Sequence, residues 1–291
     1  MAARLILNAD DFGLTCGINR AIGELNEVGA ITSATLMANG VAFDDAVAVA
    51  HAHPALGVGC HIVLTDGVPV SHPDSVPSLL GADSRSFRPS LVDFVRALLL
   101  GQIREVEIAR EALAQIEKLR SAGIAVTHID THKHTHLFPA VTRPLLEVCE
   151  RVGIHAIRNP FEPAWSLALD HGSGLRRAAI RLIGNLRPRF EAQPQIRNGS
   201  VRTTDGTVAI SATGDLTAGT LAHVLSALPG TGTYELCCHP GYNDRDLDRV
   251  TTRLRTHRDV EREALLTQIA HTRSRNDAPE LIDYRGVYAA R

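Results

Sequence analysis

The chain has 291 residues, with 30 Lys or Arg, 32 Asp or Glu, a net charge of −2 and 44% hydrophobic residues. This profile is typical of a globular protein with one large or two ordinary domains, and it excludes a disordered chain, a collagen-like chain and a small disulfide scaffold. A nucleic-acid-binding domain is usually basic throughout, so no nucleic-acid partner is expected.

Neither a signal peptide nor a transmembrane segment is predicted. The N-terminus has only a short apolar run before Asp10 and Asp11, whereas a signal peptide needs a longer one and a cleavage site. No uncharged apolar run approaches the ~18 residues of a spanning helix. The five Cys include no CxxC pair, which favours the reducing cytoplasm.

Apolar runs rich in β-formers alternate with segments of helical period. Strands are predicted at Arg4–Asp10, 31–40, Leu56–Thr65, 125–130, 155–160, Thr233–Cys238 and 281–284. Helices are predicted at Ile18–Val28, 42–52, Ile103–Ala122 and Pro139–Val152. Repeated strand–helix units indicate an α/β fold with a parallel sheet and outer helices, either open or closed into a barrel. We expect one domain over residues 1–291, with an insertion or cap at about 160–215.

The less regular region contains an arginine-rich stretch. Arg176–Arg202 holds seven Arg and one acidic residue, and Leu175 and Leu182 lie on one helical face beside it. One interpretation is a barrel helix with a solvated basic rim. The other is peripheral contact with an anionic surface such as lipid headgroups.

Four polar clusters follow predicted strands. They are Asn8 with Asp10 and Asp11; His61; Asp130 with His132, His134 and His136; and His239. The carboxyl ends of parallel strands share one face of a sheet or barrel, so we expect these clusters to converge. Singly, each has a structural explanation: the paired acids could cap a helix, His61 could be a core residue, and His239 could cap a turn.

The segment THIDTHKHTHLFP is the strongest chemical signal. It places four His and one Asp within nine residues, from His128 to His136. Imidazoles with a carboxylate suit a borderline divalent metal such as Zn, Mn or Co. The HExxH pattern of helix-borne metalloproteases is absent. Because these His cannot all bind one ion, some must orient ligands or contact substrate.

Five segments together resemble one known family. LILNADDFGLTCGIN, ITSATLMANG, GVGCHIVLTDGVP, THIDTHKHTHLFP and ELCCHPGY run from residue 5 to about 242 and are similar to the YdjC-like carbohydrate deacetylases, also called the ChbG/HpnK family. The region from about 160 to 230 carries no matching motif. The resemblance implies an irregular (β/α) barrel of the glycoside hydrolase/deacetylase type, with mostly parallel strands and outer helices.

The resemblance also implies an activity: metal-dependent removal of an acetyl group from an N-acetylated sugar, such as an N-acetylglucosamine-type oligosaccharide or glycolipid. By match to the family's motifs, one Mg²⁺ or Zn²⁺ would be held by Asp11, His61 and His132. Asp10 would be the general base and His239 the second catalytic group. The remaining matched or neighbouring polar residues would bind substrate or support the site: Asn8, Asn39, Asp130, His134 and His136.

Two alternatives stay open. One is another metal-dependent amidohydrolase or a phosphoesterase, because Asp130, His134 and His136 would allow a second metal ion. The other is a non-catalytic barrel that binds sugar or metal. A homo-oligomer is also compatible with the sequence.

Overall fold

The computed structural model describes residues 3–169 and 174–289. Within them, seven strands form one sheet in which every strand pair is parallel. They are β1 (Arg4–Phe12), β2 (Ser33–Leu36), β3 (Gly57–Ile62), β4 (Ile129–Thr131), β5 (Gly206–Val208), β6 (Thr233–Cys238) and β7 (Glu280–Ile282). The order is β4-β3-β2-β1-β6-β5, with β7 also paired to β1.

Strand β1 is the centre of the sheet because it has partners along both edges. Its first half pairs with β6 on one side and β7 on the other, since Ile6 is in register with both Glu235 and Ile282. On the side where β7 pairs with the first half, the second half of β1 pairs with β2, and Ala9 is in register with Ala34.

Beyond β4, single bridges continue the sheet from Ile129 to Ile157 and from Ala156 to Arg202. The sheet therefore curls toward its own other edge, and the predicted irregular barrel of mostly parallel strands is confirmed.

Helices surround the sheet. Those in the described residues are α1 (Cys16–Glu27), α2 (Phe43–Ala52), α3 (Leu91–Leu99), α4 (Glu105–Ser121), α5 (Pro139–Val152), α6 (Ala164–Ala168), α7 (Gly174–Ile183), α8 (Arg187–Glu191), α9 (Pro194–Arg197), α10 (Ala218–Ser226), α11 (Thr256–Arg273) and α12 (Arg285–Tyr288). In the described parts of the chain, no helix combines the length and apolarity needed to cross a bilayer.

The core forms where the apolar stripes of these helices meet the sheet. The side-chain oxygen of Thr15 accepts a hydrogen bond from the Ile18 amide at 3.2 Å and starts α1, which satisfies one of the free donors of a helix N-terminus. Ile18, Ile22 and Leu25 then recur at helical spacing and are fully buried. Because the helices and the sheet supply the core, the loops that follow the strands can carry polar side chains.

The differences from the predicted elements are local. The strand predicted at 155–160 is reduced to isolated bridges at Ala156 and Ile157. Strand β5 was not predicted, because three residues are too few to show a strand period. It lies inside the range of 160–215 expected to form an insertion or cap, so the end of that range belongs to the sheet. The remainder of the range contains α6 to α9.

Candidate metal centre and active site

The carboxyl ends of β1, β3, β4 and β6 bring the predicted polar residues together. Asp10 and Asp11 lie near the end of β1, His61 lies in β3, His132 follows β4, and His239 follows β6. Three of these side chains, Asp10, Asp11 and His61, are nearly fully buried, whereas His132 is 20% exposed and His239 12% exposed. The convergence expected from the parallel strands is therefore present.

An irregularity in β1 lets two adjacent carboxylates face the same site. In a regular strand, successive side chains point to opposite faces of the sheet. Here the register with β2 shifts between Ala9 and Phe12, and Asp11 has a left-handed backbone with φ +63°. Such conformations are strained for a non-glycine residue and cluster at functional sites.

Asp11, His61 and His132 form a triangle of possible metal ligands. Asp11 Oδ1 lies 3.8 Å from His61 Nε2 and 3.5 Å from His132 Nδ1, and the two ring nitrogens are 3.4 Å apart. A tetrahedral zinc ion with bonds of about 2.0–2.2 Å would hold its ligand atoms roughly 3.4 Å apart. The donor set and its spacing therefore fit one divalent ion.

Two further contacts aim these ligands. The Arg258 guanidinium binds Asp11 Oδ2 at 2.6 Å, which leaves Oδ1 facing the imidazoles. His61 Nδ1 donates to Asp130 Oδ1 at 2.7 Å, so Nε2 faces the triangle and would offer its lone pair to a metal ion once its proton is displaced, as is usual for metal-binding His. Burial alone would lower the pKa of His61, but Asp130 and the neighbouring Asp side chains outweigh it and raise that pKa to about 9.

Asp10 is held differently from its neighbour. Arg158 binds both of its oxygens, with Nη1 2.8 Å from Oδ2 and Nη2 2.6 Å from Oδ1. Asn8 donates to Oδ1 at 3.0 Å, and His239 Nε2 lies 3.9 Å from Oδ2. Burial would raise the pKa of Asp10, but Arg158 outweighs burial and holds it well below its usual range, so the side chain is a carboxylate at neutral pH.

Arg158 connects the two sides of the site. It is fully buried, and its N–H groups reach three carboxylates: Asp10, Asp130 at 2.6 Å and Glu235 at 2.6–2.8 Å. Tyr284, near the C-terminus, donates its hydroxyl to the other oxygen of Glu235. Burial raises the pKa of Glu235 despite Arg158. The Arg158 guanidinium therefore holds Asp10 in a fixed position relative to Asp130, the carboxylate that binds His61.

His239 is oriented from α11. Its backbone N–H donates to Glu261 Oε2 at 2.6 Å, and its ring Nδ1 lies 4.0 Å from the same oxygen. Burial raises the pKa of Glu261, although His239 opposes the shift. The other ring nitrogen faces Asp10, so His239 and Asp10 border the same space.

The remaining predicted residues have separate surroundings. His134 lies beside Asp10 and Cys237, and burial lowers the pKa of His134 to about 3. His136 is fully buried, with Nδ1 2.7 Å from Thr131 Oγ1. Asn39 donates to the Val68 carbonyl at 2.8 Å, and no contact joins it to the carboxylates or His described above.

Sequence reasoning missed four residues of the site: Arg158, Glu235, Arg258 and Glu261. Arg158 stands in the predicted strand 155–160, where it follows the apolar pair Ala156-Ile157, and this position was its only local signal. Arg258 and Glu261 lie on α11, where charged residues normally face solvent. Their burial depends on contacts across the whole chain, which no local pattern reveals.

The profile of the family described as YdjC-like protein matches residues 4–274. The chain belongs to the YdjC-like family. This confirms the resemblance seen in the sequence motifs.

Relatives of this YdjC-like chain include two proteins named carbohydrate deacetylase. The one from Brevibacillus brevis is 34% identical over 241 residues, covering 83% of this chain and 82% of that protein. The one from Thermoanaerobacter pseudethanolicus is 28% identical over 264 residues and 90% of each chain. A crystal structure from Enterococcus faecalis V583, of a protein proposed to cleave cellobiose phosphate, superposes with a TM-score of 0.77 at 22% identity over 98% of this chain and 99% of that one, which supports the shared fold.

Proposed function

We propose that this protein is a metal-dependent hydrolase that removes the acetyl group from an N-acetylated sugar, of the N-acetylglucosamine type. The observation that carries the proposal is the triangle of Asp11, His61 and His132, with ligand atoms 3.4–3.8 Å apart, next to a second carboxylate and a His. The names of the relatives, carbohydrate deacetylase, support the substrate class.

Asp11, His61 and His132 would hold one divalent ion. Two imidazoles and one carboxylate suit Zn²⁺ better than Mg²⁺, which prefers oxygen ligands. The bound ion would polarise the amide carbonyl and lower the pKa of a coordinated water. Arg258 and Asp130 keep the ligand atoms aimed at the ion while contributing no ligand themselves.

Asp10 would act as the general base. Arg158 keeps it ionised and fixes both oxygens, so it does not join the ligands of the first ion. Its Oδ2 faces His239, on the side where an attacking water and the amide would meet. A positioned base of this kind contributes typically 10²–10⁴-fold to rate.

His239 would serve the leaving nitrogen. Its Nε2 faces the reacting space, and Glu261 holds its backbone amide and lies near its other ring nitrogen. When its ring is protonated, it can donate a proton to the departing amine, or a hydrogen bond to the developing oxyanion. The leaving group then departs as a neutral amine.

Acetate release tests the proposal directly. The protein is incubated with a panel of N-acetylated sugars, chito-oligosaccharides and N-acetylated glycolipids, with zinc and with a chelator. We expect acetate from at least one compound, and its loss with chelator. Metal uptake without acetate from any compound would favour the non-catalytic binding barrel instead.

A peripheral membrane contact through Arg176–Arg202 is a second part of the proposal, and it would favour a glycolipid substrate. Leu175 is 87% exposed and Leu182 72% exposed on α7, and exposed apolar side chains beside Arg are typical of interfacial helices. We expect sedimentation with anionic vesicles and not with neutral ones. Failure to sediment, or no effect of Leu175→Ser with Leu182→Ser, would remove this contact.

A further inference from the structure

We propose that Asp10, His134 and Cys237 form a second, weaker zinc site, and that zinc bound there withdraws Asp10 from catalysis. The inhibitory effect rests on the proposed role of Asp10 as general base, whereas the binding site itself does not. Such a site would make the enzyme sensitive to excess zinc.

The geometry of the three side chains supports metal binding. One ligand atom from each lies within 4.8 Å of the other two. Cys237 Sγ is 3.4 Å from Asp10 Oδ2, and a tetrahedral zinc ion with a Zn–S bond of about 2.3 Å and a Zn–O bond of about 2.1 Å would separate sulfur and oxygen by roughly 3.6 Å. The pair is therefore already spaced as two ligands of one ion.

His134 provides the third ligand without breaking a hydrogen bond. Its Nδ1 is buried and has no hydrogen-bond partner among the described residues, although buried polar atoms are nearly always paired. The backbone at His134 is left-handed, with φ +51°, as is that of Lys133. This strained turn places the His134 side chain, with its unpartnered Nδ1, in the group with Asp10 and Cys237.

Asp10 can accept a metal ion while it remains bound to Arg158. Each carboxylate oxygen has two lone pairs, and the Cys237 S–H now occupies the side of Oδ2 that Arg158 does not. On binding, the thiol would release its proton to solvent, and the thiolate and carboxylate would both coordinate the ion. A thiolate ligand selects zinc or cobalt over magnesium.

Cobalt(II) binding tests the site without substrate. All proteins carry Cys16→Ser, because Cys16 is exposed and could bind metal adventitiously. The first equivalent should fill the Asp11 site and give no thiolate-to-cobalt charge-transfer band, since that site has no sulfur. The second equivalent should produce the band. Absence of the band in the parent protein would overturn the proposal.

Cys237→Ser and Cys238→Ser are matched variants. Cys238 is also buried, but its Sγ donates to the Asn8 carbonyl at 3.2 Å and belongs to no candidate ligand group within the described residues. Cys237→Ser should abolish the charge-transfer band and retain the first equivalent of cobalt, and Cys238→Ser should keep both. A band that persists in Cys237→Ser would contradict the assignment.

Zinc titration of activity tests the consequence. Relative to one equivalent, excess zinc should lower acetate release by roughly 10²-fold or more, the share of a general base, whereas excess magnesium should not. Cys237→Ser should raise the inhibitory zinc concentration by at least about tenfold. Inhibition unchanged by Cys237→Ser would refute the proposed inhibitory role. A cobalt band in a protein that releases no acetate would instead preserve the metal site and refute the deacetylase proposal.

Discussion

The two sides of the site begin with adjacent residues and are built in opposite ways. On the side proposed to bind metal, here called the metal side, Arg258 binds a single oxygen of Asp11 and leaves the other facing two imidazoles. On the side proposed to supply the general base, here called the base side, Arg158 binds both oxygens of Asp10. An arginine that binds one oxygen leaves a ligand free, while an arginine that binds both holds a carboxylate ionised in one orientation. In the proposed mechanism, the two arginines thus assign different roles to two adjacent residues of the same type.

The largest effect should follow from removing a ligand on the metal side. His132→Ala leaves two protein ligands, so the ion is lost together with the several kcal/mol of charge stabilisation that it supplies. We expect turnover to fall by roughly 10⁴-fold, with metal content near zero after dialysis. Normal turnover by a metal-free His132→Ala protein would end the metal-dependent account.

Removing the arginine of the base side should cost stability as well as activity. Arg158→Leu strips the counter-charge from three buried acidic side chains, and breaking a buried ion pair in this way costs about 3–5 kcal/mol. Urea unfolding of the chelator-treated protein measures the loss. Arg151→Leu, at an exposed position at the end of α5, is the control and should change the unfolding free energy little. Equal changes of the unfolding free energy in the two variants would show that the ion pairs of Arg158 do not stabilise the fold.

The metal side should make the metal-free protein sensitive to pH. The pKa of His61 is raised from 6.5 to about 9, so its protonated form stabilises the metal-free fold. That contribution is full below pH 6.5 and is lost as the pH rises through 9, and it amounts to about 3 kcal/mol. Urea unfolding at pH 6 and at pH 9.5, compared with His61→Gln, measures it. A pH dependence unchanged by His61→Gln would contradict the Asp130 pairing.

A smaller effect should follow from changing the residue that links the two sides. Asp130→Asn weakens the orientation of His61 and removes one partner of Arg158. Losing such an outer partner typically reduces metal affinity about 10–100-fold. Chelator competition gives the affinity, and Thr131→Ser, at the neighbouring position of β4, serves as the control. An affinity unchanged by Asp130→Asn would mean that Asp130 does not orient the ligand.

The sequence predicted the barrel and the polar residues of the site because both depend on local order along the chain. Apolar runs in the sequence predicted β1, β3 and β6. Because parallel strands share one face at their carboxyl ends, the polar residues that follow these strands were expected to lie together. The shift in β1 that turns Asp10 and Asp11 toward one site was not visible, since it depends on pairing with β2. Arg158 and Arg258 were missed for a related reason: only the folded chain shows that their charges are buried against carboxylates.

The most direct measurement compares Asp10→Asn with Asp11→Asn, two equal chemical changes at adjacent positions. Metal content after dialysis and acetate release are measured on both proteins. Asp11→Asn should lose the ion and its turnover, whereas Asp10→Asn should keep one equivalent of metal and lose roughly 10²–10⁴ in rate. Loss of the metal from Asp10→Asn, or its retention by Asp11→Asn, would contradict the division of roles between the two carboxylates.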